Sequence, residues 1–434
     1  MAFLFLLLGF LANSLFGQMG GYAQRAFLLS FGACVFVAGV VQTYSQEVFG
    51  TLTTTIDSLT YWNLVESSLN VSSLNDLPPT HTPLAIFVWA KVLHFFNVIG
   101  IQYGIWTVVL FNSFLVGLSA NLAVRAGYHV FGNDRRRLRL IGTLFALCGM
   151  FWLFGSLLLR DAFLLFDNIF LLWAFLRALN QANTKNMLLV LGVGIFTFIS
   201  MYFLRKSSAP MVLIFSGFFL FSLMWERRNI AKFLAIASAV IMLLIVFHNP
   251  ILDLLNDIQK FFFLYSGTYS EKMFAIASSE SLYYQLIMSQ PLIIRIPAAA
   301  FLFFIFPLPL WTYLQVGVTD YHLIKTWQGF YLVAITPLII VGAMELFQHV
   351  KKFSPKAKMF LFILVHAVFS TLAVAGTTSE TRHLGQFMPA LLLLAAVPDK
   401  NLLSSKQLLK KTSQVWFVIV ALLHLAWIVL KVLF

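Results

Sequence analysis

Acidic residues and cysteines are scarce in this chain, and charge of either sign is sparse. Only 16 of 434 residues are Asp or Glu, against 29 Lys and Arg, and charged residues make up 10% of the total. A soluble chain carries about 25%, so this one cannot supply the polar surface that a soluble fold of its length needs. Its two cysteines, Cys34 and Cys148, both lie in apolar runs, which reads as packing rather than as a disulfide or a thiolate metal site. No HExxH-type motif occurs, and His81, His94 and His248 show no i, i+4 pairing, so nothing points to a protein-borne metal centre. Low-complexity tracts are missing, as is the internal repeat that marks inverted-repeat transporters.

What the chain has in quantity is apolar residues, 60% of the total. Runs long enough to cross about 30 Å of hydrocarbon recur from end to end and leave no room for a separate soluble domain. They lack the two-residue alternation of barrel strands, and backbone polar groups in lipid must be satisfied within each crossing, so the crossings are expected to be helices. The fold class is all-α, a polytopic integral membrane protein forming a single domain over residues 1–434. The first run, 2–17, has no basic flank or clear cleavage site and is read as a retained helix. The net charge of +13 sits largely in short links, where it reports orientation and anionic lipid headgroups rather than nucleic acid.

Basic residues mark the cytoplasmic links. Residues 43–82 hold Glu47, Asp57, Glu66 and Asp76 and no Lys or Arg, so the first long loop, 43–103, belongs outside. The link "RAGYHVFGNDRRRLR" (125–139) belongs inside, as do "RALNQANTKN" (177–186), "ERRNIAK" (226–232) and "FQHVKKFSPKAK" (347–358). An odd number of crossings must separate an outer from an inner link, so 83–101, which opens after "PPTHTP" and carries Lys91 and His94, is assigned to the interface. The same count makes 293–312, with Pro297, Pro307 and Pro309, re-entrant or interfacial inside a second outer loop, 248–328. Crossings are expected at 2–17, between that run and the first outer loop, and at 104–124, 140–158, 162–178, 187–204, 209–225, 232–247, 329–346, 359–376, the run after His383 and 416–434, about twelve by the length rule. Asn70-Val71-Ser72 in the first outer loop is a weak glycosylation match.

With this topology the misplaced ionisable residues fall on one side. They are Asp57 and Glu66, the turns Arg160-Asp161 and Arg205-Lys206, Glu271-Lys272, and the stretch "TSETRHLGQFMPALLLLAA" (378–396), which sets Glu380, Arg382 and His383 before an uncharged run. Outer basic residues run against the orientation rule and need another reason. Arg and Lys at helix mouths bind phosphate oxygens through charge-assisted hydrogen bonds, and Asp57 is a candidate general base for a hydroxyl acceptor. A carboxylate for deprotonation and several cations for a phosphate leaving group make a glycosyl-transfer site. Each residue has a second reading: Arg160-Asp161 as a polar turn, Arg205-Lys206 as snorkelling cations, Asp57 as a helix N-cap, His383 as an interfacial histidine. Asp167, inside an apolar helix, is a functional intramembrane acid or the partner of a polar neighbour.

The run "TTTIDSLTYWNLVESSLN" followed by "THTPLAIFVWAKVLHFF", the turn "LLLRDAFLLF" and the late "SETRHLGQFMPALLLLAA" resemble, in that order, the GT-C superfamily of polytopic glycosyltransferases, which includes the protein O-mannosyltransferases and lipid A aminoarabinose transferases. The last segment is similar to a Glu-x-Arg-Tyr type motif, with His383 in place of Tyr. The resemblance implies transfer of a sugar from a polyprenyl-phosphate carrier to a glycan, lipid or protein acceptor at the extracytoplasmic face, in the simplest setting the periplasmic side of a bacterial inner membrane. Asp57 would activate the acceptor, Arg160, Arg205, Lys206 and Arg382 would hold the phosphate, and Glu380 would orient Arg382 or bind the sugar. Asp161, His383, Glu66 and Lys272 complete the candidate set. No second acid adjoins Asp57, a departure from the family pattern that carries no loop metal over, although a divalent cation arriving with the lipid phosphate stays open. A polymerase or ligase of undecaprenyl-diphosphate-linked glycans is the alternative, since such enzymes also use outer arginines. A lipid-linked oligosaccharide flippase or other transporter is a third.

Overall fold

Apolar runs in lipid must close their own hydrogen bonds, and every regular element described in this chain is helical. The computed structural model describes residues 1–15, 20–51, 55–224, 290–305, 310–311, 320–351, 356–377, 382–399 and 403–433, and no strand occurs among them. Seven of the described helices are long and apolar enough to cross a bilayer, or eight if one bent pair counts as a span. The protein is therefore a multi-pass integral membrane protein.

In chain order the helices are α1 (Ala2–Leu15), α2 (Gly20–Phe49), α3 (Ile56–Ser67), α4 (Pro83–Val98), α5 (Ile105–Phe131), α6 (Arg135–Leu147), α7 (Gly149–Ser156), α8 (Asp161–Asn180), α9 (Thr184–Leu204) and α10 (Ala209–Met224). They continue as α11 (Leu292–Leu302), α12 (Asp320–Lys351), α13 (Ala357–Thr377), α14 (Arg382–Gly385), α15 (Met388–Ala395) and α16 (Leu403–Leu433). The long spans are α2, α5, α8, α9, α12, α13 and α16. Several expected crossings are shorter: α1 has 14 residues, about 21 Å at 1.5 Å per residue against about 30 Å of hydrocarbon. α10 is short as well, the run after His383 is split between α14 and α15, and the expected crossing at 232–247 lies outside the described residues. The segment expected as the first outer loop, 43–103, is mostly helix, formed by the end of α2, α3 and α4. α4 starts with Pro83 in its first turn, seats Ile86, Trp89, Leu93 and Phe96 in the core, and is too short to be one of the long spans.

α5 is the central helix, packed on α2, α6, α7 and α8. It extends further than the sequence suggests. Arg125, expected in a solvent-facing link, is buried within α5, where its Nε donates to Asn121 Oδ1 at 2.7 Å and its Nη2 to Asn13 Oδ1 at 2.8 Å.

The expected single helix at 140–158 is instead α6 and α7, bent by 56° at Cys148. A break in lipid must be satisfied from elsewhere, and α12 does this. Gln328 Oε1 accepts from the Met150 amide at 3.0 Å, Trp327 Nε1 donates to Leu147 O at 2.9 Å, and the Tyr331 hydroxyl donates to Leu144 O at 2.7 Å. Gly149 permits the approach, because a Cβ there would lie 3.1 Å from the Trp327 ring.

Candidate functional site

The site is assembled from the start of α3, the links before α8 and α10, and the short α14. α3 begins after Thr55, which has extended backbone and makes no side-chain cap, so Asp57 is not the N-cap. It stands in the first turn, where the positive end of the helix dipole suits a carboxylate.

The link from α7 to α8 is a short apolar turn outside both helical ladders, where Leu157 O accepts from the Leu159 amide at 3.0 Å and the other carbonyls need partners from elsewhere. Asn112 of α5 donates through Nδ2 to Leu157 O at 3.0 Å and Leu159 O at 3.2 Å, while its Oδ1 accepts from Trp89 Nε1 at 2.9 Å. Ser58, next to Asp57, donates to the intervening Leu158 O at 3.4 Å. Three consecutive carbonyls are thus tied to α5 and α3, which fixes Arg160 beside the start of α3. Arg160 Nη1 reaches the carbonyls of His81, at 3.5 Å, and Leu204, at 3.4 Å, spanning from the residues before α4 to the end of α9. Asp161 is buried at 5% exposure in the first turn of α8.

Arg382 closes the cluster. Its Nη1 donates to Asp57 Oδ2 at 3.0 Å, an ion pair between residues 325 positions apart, with Arg382 17% and Asp57 50% exposed. Beside it, Arg205 Nη1 lies 3.0 Å from His383 Nδ1. A guanidinium only donates, so Nδ1 is the acceptor and the ring proton sits on Nε2. Gly385 lets α14 pack on α7, since a Cβ there would lie 2.6 Å from the Phe154 ring.

Tyr61, one turn beyond Asp57 on the same helix face, joins these groups. Burial pushes its phenol above the ordinary value; Arg160 and Arg382 pull it down, and Asp57 and Asp161 push it up. That single hydroxyl feels four of the site residues. Its ring stands 5.9 Å from that of Trp89.

Asp57, Arg160, Asp161, Arg205, Arg382 and His383 therefore come together at one end of the bundle. Lys206 lies over the Tyr202 ring at 5.5 Å, and Glu66 is exposed near the far end of α3. Glu380 and Lys272 lie outside the described residues, as does His248. Asp167 accepts from Ser200 Oγ at 2.6 Å across the α8–α9 contact, the paired alternative of its two readings. Among the described residues no three or more His, Cys, Asp or Glu side chains gather as a metal site. The site groups that sequence reasoning does not single out are Tyr61, Asn112 and Ser58. Only Tyr61 carries a signal, its i+4 spacing from Asp57. No family model matches the chain, and neither a curated protein nor a solved structure matches it.

Proposed function

We propose that the protein is a membrane glycosyltransferase of GT-C type, moving a sugar from a polyprenyl-phosphate carrier to a hydroxyl-bearing acceptor at the extracytoplasmic face, in the simplest setting that of a bacterial inner membrane. The observation that carries this reading is the meeting of Asp57 with Arg382, and of Arg205 with His383, next to Arg160. Two carboxylates, Asp57 and the buried Asp161, and three guanidiniums converge from sequence segments that are far apart.

In this reading the acceptor oxygen attacks the anomeric carbon and loses its proton to Asp57. The bond from that carbon to the carrier phosphate breaks, and the phosphate leaves with the bonding pair. Arg382, Arg205 and Arg160 offset its charge by charge-assisted hydrogen bonds. Such a displacement places base and leaving group on opposite faces of the sugar and inverts the anomeric centre. Asp57 and Arg382 must therefore part, with the phosphate taking the carboxylate's place on the guanidinium. The described residues of the cluster form no set of protein ligands for a divalent cation.

A polymerase or ligase of undecaprenyl-diphosphate-linked glycans is the second reading, favoured by the excess of arginine over carboxylate in the cluster. Asp57 separates the two. Release of polyprenyl phosphate from a panel of polyprenyl-phosphate sugars, assayed in nanodiscs, is expected to fall by about 100-fold or more in Asp57→Asn, the low end of general-base contributions. Wild-type turnover in a well-folded variant removes the base assignment and leaves the arginine-dominated polymerase.

A further inference from the structure

Arg295 takes no part in the cluster above and has an unusual setting. It lies in the first turn of α11, is only 6% exposed, and its Nε is enclosed without a hydrogen-bond partner. Arg295 forms no ion pair with any described residue. A buried guanidinium keeps its charge, and an unpaired buried charge is costly. Its position makes the cost larger: the N-terminal end of a helix carries partial positive charge and suits anions, yet the first turn of α11 holds no acidic residue. The first helical bonds run from the Ile294 and Arg295 amides to Pro291 O, at 2.9 Å each, which leaves the Leu292 and Ile293 amides outside the ladder.

Two further features indicate the kind of anion that suits this setting. Ile293, Ile294 and Phe301, 83%, 54% and 41% exposed, put an apolar surface along the same short helix. α11 also packs on α13, the span that leads into Arg382. A buried cation at the positive end of a helix, beside an exposed apolar face, matches a lipid with a phosphate head.

We propose that Arg295 and the start of α11 bind the phosphate group of a lipid, its hydrocarbon lying along Ile293, Ile294 and Phe301. An anionic phospholipid and the polyprenyl-phosphate carrier both present this chemistry. Only the carrier arm rests on the proposed function; the phospholipid arm stands without it.

The test uses full-length protein in nonionic detergent and follows thermal unfolding against short-chain phosphatidylglycerol, a short polyprenyl phosphate, and monoolein, which has no phosphate. A lipid that binds the folded state raises the midpoint. Wild type is expected to respond to at least one phosphate lipid and not to monoolein, and the one that works names the source. Arg295→Gln should weaken that response about tenfold or more in concentration, the size of one charge-assisted contact. Without lipid it should unfold no earlier than wild type, because an uncompensated charge has been removed. Arg382→Gln should leave a phosphatidylglycerol response intact, which separates this site from the transfer site. Equal responses in wild type and Arg295→Gln, a response to monoolein as large as to the phosphate lipids, or loss of the phosphatidylglycerol response in Arg382→Gln overturns the proposal. If Arg295→Gln does not fold, native mass spectrometry of wild type decides: retained phosphate lipid that Arg295→Lys keeps supports the site, and none retained refutes it.

Discussion

Asp57 is half exposed, so solvent screens its bond to Arg382, and such a pair contributes about 0–1 kcal/mol. A phosphate offers a guanidinium more acceptor oxygens than the single carboxylate oxygen Arg382 now meets, and so a bidentate contact. Exchange of partners on Arg382 is therefore cheap in the direction that the proposed reaction needs. The two roles of Asp57 then pull apart in experiment. Asp57→Asn, which abolishes transfer in this scheme, should tighten binding of a polyprenyl phosphate by up to about fivefold, the equivalent of about 1 kcal/mol of lost competition. Arg382→Ala should weaken the same binding by about tenfold or more. Equilibrium binding of a labelled short-chain polyprenyl phosphate checks both signs. Weaker binding in Asp57→Asn would mean that the carboxylate helps to hold the phosphate and does not compete with it. Charged residues in so apolar a sequence stand out, which is why Asp57, Arg160, Arg205, Arg382 and His383 are legible as candidates from the sequence alone. Their pairing is not, because same-side placement constrains which residues can meet but not which do.

At the scale of elements, short polar side chains inside apolar helices do the positioning. Asn112 links α4, α5 and the segment before α8 through three hydrogen bonds, all buried. Replacing it with Ala leaves the Trp89 N–H and Leu159 O with no partner, at roughly 1–3 kcal/mol for each buried group left unsatisfied, while Leu157 O keeps the Leu159 amide. Asn112→Asp keeps an acceptor for Trp89 but buries an ionisable carboxyl against the carbonyl oxygens of Leu157 and Leu159, so it should destabilise at least as much as Asn112→Ala, and both should lower the thermal midpoint in detergent. Midpoints equal to wild type would show that the link before Arg160 is held by something else. The sequence hides this device for a physical reason. Helical period and apolar run length predict where a helix lies, and they locate α2, α5, α8, α9, α12 and α13. They say little about where one breaks, because a break is stable only when partners supply the freed backbone groups. For the bend at Cys148 those partners are Gln328, Trp327 and Tyr331, which lie far along the chain and leave no local trace.

Across the whole molecule, the two ends of the bundle differ in kind. One gathers Asp57, Arg160, Asp161, Arg205, Arg382 and His383, where acids and bases are mixed. The other holds Arg135, Arg136, Arg137, Arg139, Arg177 and Lys356, with Arg137 3.7 Å from Asp399 and Lys356 bonded to Val130 O. The second is the end that the positive-inside rule assigns to the cytoplasm, and under the proposed function the mixed end faces outward. Thiol labelling can test this orientation against little background, because Cys34 and Cys148 are both fully buried. Glu66→Cys lies on exposed α3 at the mixed end, and Gln181→Cys on the exposed turn between α8 and α9 at the other. An impermeant maleimide added to intact cells should label Glu66→Cys and leave Gln181→Cys unreacted until the membrane is opened. The reverse pattern would put the carboxylate and its arginines in the cytoplasm, where soluble nucleotide sugars would be the available donors, and a lipid-linked donor would lose its rationale. Labelling of both from outside would break the link between basic content and side on which the whole orientation is built.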